Sequence, residues 1–133
     1  MRILLALLVL ALGVGLAQWQ NRQALITDFR QMQGVWTVKL DYVEVKDCNR
    51  DDCPAGIEVS NQNPLIRTFR FTPSTKIWLL KNAGEYFQAT PQQLIQGLGG
   101  RNFGWSFDKY TPFYIKVNEA RREILELKQM YLP

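Results

Sequence analysis

What most constrains this chain is a succession of short strand patterns, separated by turn residues, that runs from Val35 to its end. Residues 35–45 are rich in β-branched and aromatic types, with Trp36, Val38, Leu40 and Tyr42 on one alternating face before the apolar parity passes to Val43 and Val45. Such a flip within one extended run predicts a bulge that bends the strand. Residues 60–64 are turn-like, residues 65–72 place Phe69 and Phe71 on one face, and residues 76–81 carry Ile77, Trp78, Leu79 and Leu80. A further strand is expected over residues 85–89, after the turn Asn82-Ala83-Gly84. The strictest alternation lies at residues 102–108, where Phe103, Trp105 and Phe107 interleave with Asn102, Gly104, Ser106 and Asp108; a period of two with aromatics on one side predicts a strand with one buried face. Residues 113–117 and 124–131 read as a closing hairpin. Glu123 and Leu127, four apart, also suit a helix over 121–128, but that would leave residues 113–117 without a close partner.

Two segments have helical character. Leu25, Phe29 and Met32 are spaced as on a helix, so a short amphipathic helix is expected within residues 18–33, ending at Gly34. Residues 90–97 admit two readings, since Thr90 before Pro91 suits a helix cap while Leu94 and Ile95 also suit a short strand. Regular short strands with turns between them indicate an antiparallel sandwich or barrel, and closure into a barrel removes exposed edges. The expected fold is therefore mainly β, a small antiparallel β-barrel of about eight strands with a short N-terminal helix.

The first residues bear on compartment. Arg2, an apolar run from Ile3 to Leu12, and small residues at Gly15 and Ala17 form the pattern of a secretory signal peptide over residues 1–17. The run is shorter than the roughly 20 apolar residues of a membrane span, which disfavours an uncleaved anchor. Residues 18–133 then form a single domain, with no later stretch apolar enough to cross a membrane. The only cysteines, Cys48 and Cys53, flank a hydrophilic loop, and in an oxidising compartment such a close pair reads as a disulfide. A zinc or redox site would need Cys-x-x-Cys spacing or histidine, and the chain contains neither. Together these features place the expected protein outside the cytoplasm, secreted or periplasmic. A net charge of +4, with scattered basic residues, sets nucleic acid aside as a partner.

Gly34-Val35-Trp36 at the first strand, Phe69-Arg70-Phe71-Thr72 before a turn, Gly84-Glu85-Tyr86, and the closing Tyr114-Ile115-Lys116-Val117 with Leu125-Glu126-Leu127 resemble the lipocalin and fatty-acid-binding (calycin) group of barrels, in the form of exported bacterial lipocalin-like domains. The resemblance covers nearly all of the chain after the leader. It implies a carrier that holds a small apolar or amphipathic ligand, and a basic side chain near the end of the last strand covering the first-strand tryptophan, for which Lys128 is the candidate where the family usually has arginine. The chain is short for a full lipocalin, so a narrower or partly filled barrel is expected.

Within that reading Trp36, Phe71, Trp78 and Trp105 are the candidate ligand-binding residues. Phe69, Phe103, Phe107 and Phe113 extend the same aromatic set, and the competing reading is that all of these simply pack as core. Catalysis is not expected: the chain has no histidine, its cysteines pair, and no nucleophile motif is present. Asp47, Asn49, Asp51 and Asp52 offer oxygen ligands for Ca2+, but their spacing is not that of an EF-hand and a solvated loop accounts for them, so no metal and no cofactor are expected. Gly97, Gly99 and Gly100 lack the Lys-Ser or Lys-Thr of a phosphate cradle and read as a flexible loop. Arg121 and Arg122 beside Glu119 and Glu123 read as a solvated turn. Two function classes remain: a small-ligand carrier, which needs an internal cavity with a mouth, and an exported protein-binding module, such as an envelope interaction protein or a peptidase inhibitor, which needs an exposed apolar patch.

Overall fold

The computed structural model describes residues 22–61 and 65–133. The expected leader, and most of the turn before Leu65, lie outside them. Seven strands are formed among the described residues: β1 (Arg22–Met32), β2 (Val35–Asp47), β3 (Ile57–Ser60), β4 (Ile66–Asn82), β5 (Glu85–Ala89), β6 (Phe113–Asn118) and β7 (Glu123–Gln129). One α-helix, α1 (Pro91–Leu98), lies between β5 and β6.

The strand order is β3-β2-β1-β6-β7-β4-β5, and a further β2–β4 pairing closes β1, β2, β4, β7 and β6 into a ring. β3 and β5 extend the ring from the far halves of β2 and β4. Within the ring β6 returns to lie beside β1 while β1, β2 and β4 are sequential neighbours, which is a Greek key. β7 then fills the gap between β6 and β4, antiparallel to the first and parallel to the second. The mainly β closed barrel expected from the sequence is present. The up-and-down barrels of lipocalins pair sequential strands throughout, so the likeness extends to a small closed barrel and not to its strand order.

The N-terminal segment corrects the helix expectation, since residues 22–32 form β1. Ala24 and Ile26 point inward with a period of two, then Thr27 is inserted as a bulge, and Phe29 is the next buried residue. Leu25, which shared the expected helical face with Phe29, alternates with the inward Ala24 and Ile26 and so stands on the opposite side of the strand. Met32, the third member of the apparent helical face, is 58% exposed. The bend expected in β2 therefore falls on its neighbour. β2 itself leaves β4 after Asp41 and takes up β3 at Glu44, so its faces exchange surroundings without an inserted residue. β1 and β2 are joined through Gln33 and Gly34, both at positive φ (52° and 78°), the two-residue turn whose twist suits a hairpin.

Residues 102–108 are the second correction, because they form no strand. Gly104 sits at φ 130°, and a Cβ there would lie 2.1 Å from the Lys81 carbonyl oxygen. The Asn102 side chain accepts from the Gly104 N–H (2.7 Å), and the Asp108 side chain accepts from that of Tyr110 (2.8 Å). These local bonds compete with a ladder. The alternating aromatics are consequently split: Phe107 enters the core, whereas Phe103 and Trp105 are half-buried.

Residues 90–97 resolve as helix. Thr90 Oγ1 accepts from the Gln93 N–H and Gln93 Oε1 accepts from the Thr90 N–H, a capping box with Pro91 in the first turn. Leu94 enters the core and Gly97 lies against the Phe107 ring. The barrel interior is filled by large side chains from every ring strand, among them Ile26, Leu40, Phe69, Leu79, Phe113, Ile115 and Leu127.

Candidate functional site

Two of the four candidate residues meet at one place. At the β1–β2 hairpin end an open recess of about 430 Å3 is lined by Gly34, Val35, Trp36, Phe71, Thr72, Pro73, Thr75 and Pro91. Three features of the chain build it. The tight Gln33-Gly34 turn sets Trp36 at the rim, half-buried and stacked on Phe29 with centroids 5.1 Å apart. Phe71 packs edge-on against the same Phe29 at 5.3 Å, so the three rings form a continuous aromatic wall. Opposite them β4 bends, since its pairing with β7 passes from Phe71 to Lys76 while β7 advances only from Ile124 to Glu126. Pro73 has no N–H to give to a ladder. The Thr75 hydroxyl takes over, donating to the Ile124 carbonyl (2.6 Å) and accepting from the Thr72 N–H (2.9 Å).

The recess thus has an aromatic and proline floor, a rim carrying the Thr72 and Thr75 hydroxyls, and no charged side chain in its lining. That chemistry accommodates a neutral, flat, mostly apolar group with one or two polar atoms. Pro73 and Thr75 were not singled out from the sequence, although a proline between two strand runs is itself the signal of a bend.

Trp78 and Trp105 lie elsewhere. Trp78 follows the inward Ile77 and precedes the inward Leu79, so it stands on the outer face of β4, where it lines a small cleft with Tyr86, Glu126 and Lys128. Its indole nitrogen is closed from solvent and has no acceptor among the described residues. Trp105 donates through Nε1 to the Leu132 carbonyl (3.2 Å) and packs on Tyr131, binding the chain's end to the loop before β6. Lys128 does not cover Trp36: its ammonium lies 4.5 Å from the Tyr86 ring centroid, because β7 points Lys128 outward while Leu127 fills the interior.

Cys48 and Cys53 form the expected disulfide. Within that loop Arg50 reaches Asp52 and, outside it, Glu58, so one carboxylate of the acidic cluster is engaged by a neighbouring cation. At the opposite end of β2 from the recess, Tyr42 donates to Glu119 (2.8 Å), with the Arg22 and Arg67 guanidiniums over its ring. Burial, then the Glu119 hydrogen bond and charge, hold the Tyr42 phenol well above its ordinary range, against weaker pulls from the two arginines. Gln129, fully buried, is the residue that sequence reasoning missed outright. Its side chain accepts from the Leu80 N–H (2.8 Å) and donates to the Trp105 carbonyl (3.0 Å), and its own carbonyl accepts from the Tyr86 hydroxyl (2.9 Å).

Fold and recess together define a small, closed, disulfide-bearing barrel domain with an open apolar recess at one end. No family profile, curated protein or solved structure matches the chain.

Proposed function

We propose that this chain is an exported small-barrel binding domain whose recess at Trp36 and Phe71 takes a small, neutral apolar or aromatic ligand, and that its role is binding and not catalysis. The observation that carries the reading is that Trp36 and Phe71, both packed on Phe29, line an uncharged recess of about 430 Å3, within the size range of small-molecule sites. The signal-peptide pattern and the disulfide support a secreted or periplasmic setting. Because the interior is filled, the ligand rests in the rim and keeps one face in solvent, so affinity is moderate.

The test is titration of the protein with neutral aromatic and aliphatic alcohols, followed by tryptophan fluorescence. A saturable, one-site response that Trp36→Leu abolishes and Trp105→Phe leaves intact is expected. No saturable response across the series, or one indifferent to Trp36→Leu, overturns the reading. A second reading rests on Met32 and Val35, 58% and 42% exposed and paired beside the recess. They make this end the apolar surface through which a protein partner would dock a side chain into the same recess.

A further inference from the structure

The outer face of the sheet β6-β7-β4-β5 carries a second, chemically different row of side chains. Registers place Tyr114, Lys128, Trp78 and Gln88 as successive partners across these four strands. The neighbouring row, Ile115, Leu127, Ile77 and Ala89, is buried, so alternation turns the first row outward. Beyond the buried row, Lys116, Glu126 and Lys76 are paired across β6, β7 and β4 and share the outer face. Tyr86, two residues before Gln88, joins that face beneath the Lys128 ammonium.

These side chains enclose an open cleft of about 460 Å3 lined by Tyr86, Tyr114, Ile115, Lys116, Glu126 and Lys128, which adjoins the small cleft against Trp78. We infer that this cleft is a binding site for a carboxylate-bearing sugar unit of an acidic glycan.

Three features of the cleft select that chemistry. Tyr114 and Tyr86 line the cleft and Trp78 borders it in the adjoining small cleft, so aromatic side chains are at hand for the C–H face of a pyranose ring. Lys128 forms no ion pair among the described residues, resting instead on the Tyr86 ring, so its ammonium is available to a ligand carboxylate. Glu126, held by Lys116 at 3.4 Å, supplies an acceptor for sugar hydroxyls. A purely apolar ligand would strand both charges. This site shares no lining residue with the recess at Trp36, so the two can be tested apart.

The experiment is calorimetric titration of the full chain with an oligogalacturonate, its methyl ester, and single-stranded DNA of equal charge. Saturable binding of the oligogalacturonate is expected, weakened about tenfold or more by esterification and by Lys128→Gln, the scale of one lost charge-assisted bond. Tyr114→Ala is expected to weaken binding through lost ring contact with its salt dependence retained, whereas Trp36→Leu leaves it unchanged. No binding, equal binding of the ester or of the DNA, or indifference to Lys128→Gln with the fold intact by circular dichroism, overturns the inference.

Discussion

Replacing Gln129 with methionine tests whether one buried amide holds the C-terminal half of the barrel together. Methionine keeps nearly the same length and volume, so the change removes hydrogen bonds without opening a large cavity. Two partners are left alone: the Leu80 N–H, buried at the end of β4, and the Trp105 carbonyl, partly buried in the loop before β6. An unpaired buried group costs about 1–3 kcal/mol. Leu80 lies toward the upper part of that range and the partly solvated Trp105 carbonyl toward the lower. Together they amount to about 2–4 kcal/mol, a large share of the ~5–15 kcal/mol that holds an ordinary domain. Urea denaturation is the assay, with the midpoint falling and the slope unchanged if native contacts alone are lost. Gln129→Glu separates the two bonds. Its carboxylate still accepts from Leu80 but repels the Trp105 carbonyl, and protonation restores the donor. Burial raises the folded pKa of such a carboxyl, so the folded state binds more protons and the variant gains stability as pH falls. A loss below about 0.5 kcal/mol in Gln129→Met, the level of an ordinary surface substitution, would show that the amide is not a structural tie.

Other perturbations follow from the same geometry. Gly97→Ala sets a methyl 2.1 Å from the Phe107 ring, an overpacking expected to cost about 1–3 kcal/mol; Phe107→Leu in the same chain should recover part of it in a denaturation double-mutant cycle. For Tyr42 the unfolded phenol ionises near 10 while the folded one stays protonated, so folding stability falls as pH rises above about 10. Tyr42→Phe should flatten that alkaline limb, with a residual slope from Tyr86, whose phenol burial also raises; an unchanged limb in denaturation between pH 8 and about 11 refutes the assignment. Reducing the Cys48–Cys53 bond should cost about 2 kcal/mol at most, because the loop it closes is short; intact mass before and after reduction and alkylation checks the pairing.

What could be read from the sequence depended on whether neighbouring residues or distant ones set the conformation. The β2 run, the β5 strand and the β6–β7 hairpin were legible because each is rich in strand-forming residues and pairs with a neighbour across a short turn. β1 was misread because a single inserted residue at Thr27 breaks its period of two, and the insertion shows only in the register against β2. Residues 102–108 were misread for the opposite cause, since a glycine at positive φ and two side-chain turns override a perfect period of two. β3 was not anticipated at all: four residues with little alternation become a strand because the disulfide loop returns them to β2. Half of the candidate site was legible in the same sense. Trp36 and Phe71 come together through strand pairing, whereas the outward turn of Trp78 depends on the phase of its strand, and sequence alone fixes alternation without saying which parity faces inward.

That ambiguity of parity also explains where binding can reside in a barrel this small. A five-stranded ring has too little girth to leave its interior open, and Ile26, Leu40, Phe69, Phe113 and Leu127 occupy it. Large aromatics beyond those needed for the core must then lie at the rim or on the outer face, half in contact with water. Trp36 takes the first position through the hairpin turn, and Trp78 the second through the alternation that buries Ile77 and Leu79. The neutral recess and the charged cleft are in this sense two consequences of one filled core. They differ in chemistry because threonine and proline border the bend in β4, whereas lysine and glutamate occupy the solvent-facing rows of β6 and β7.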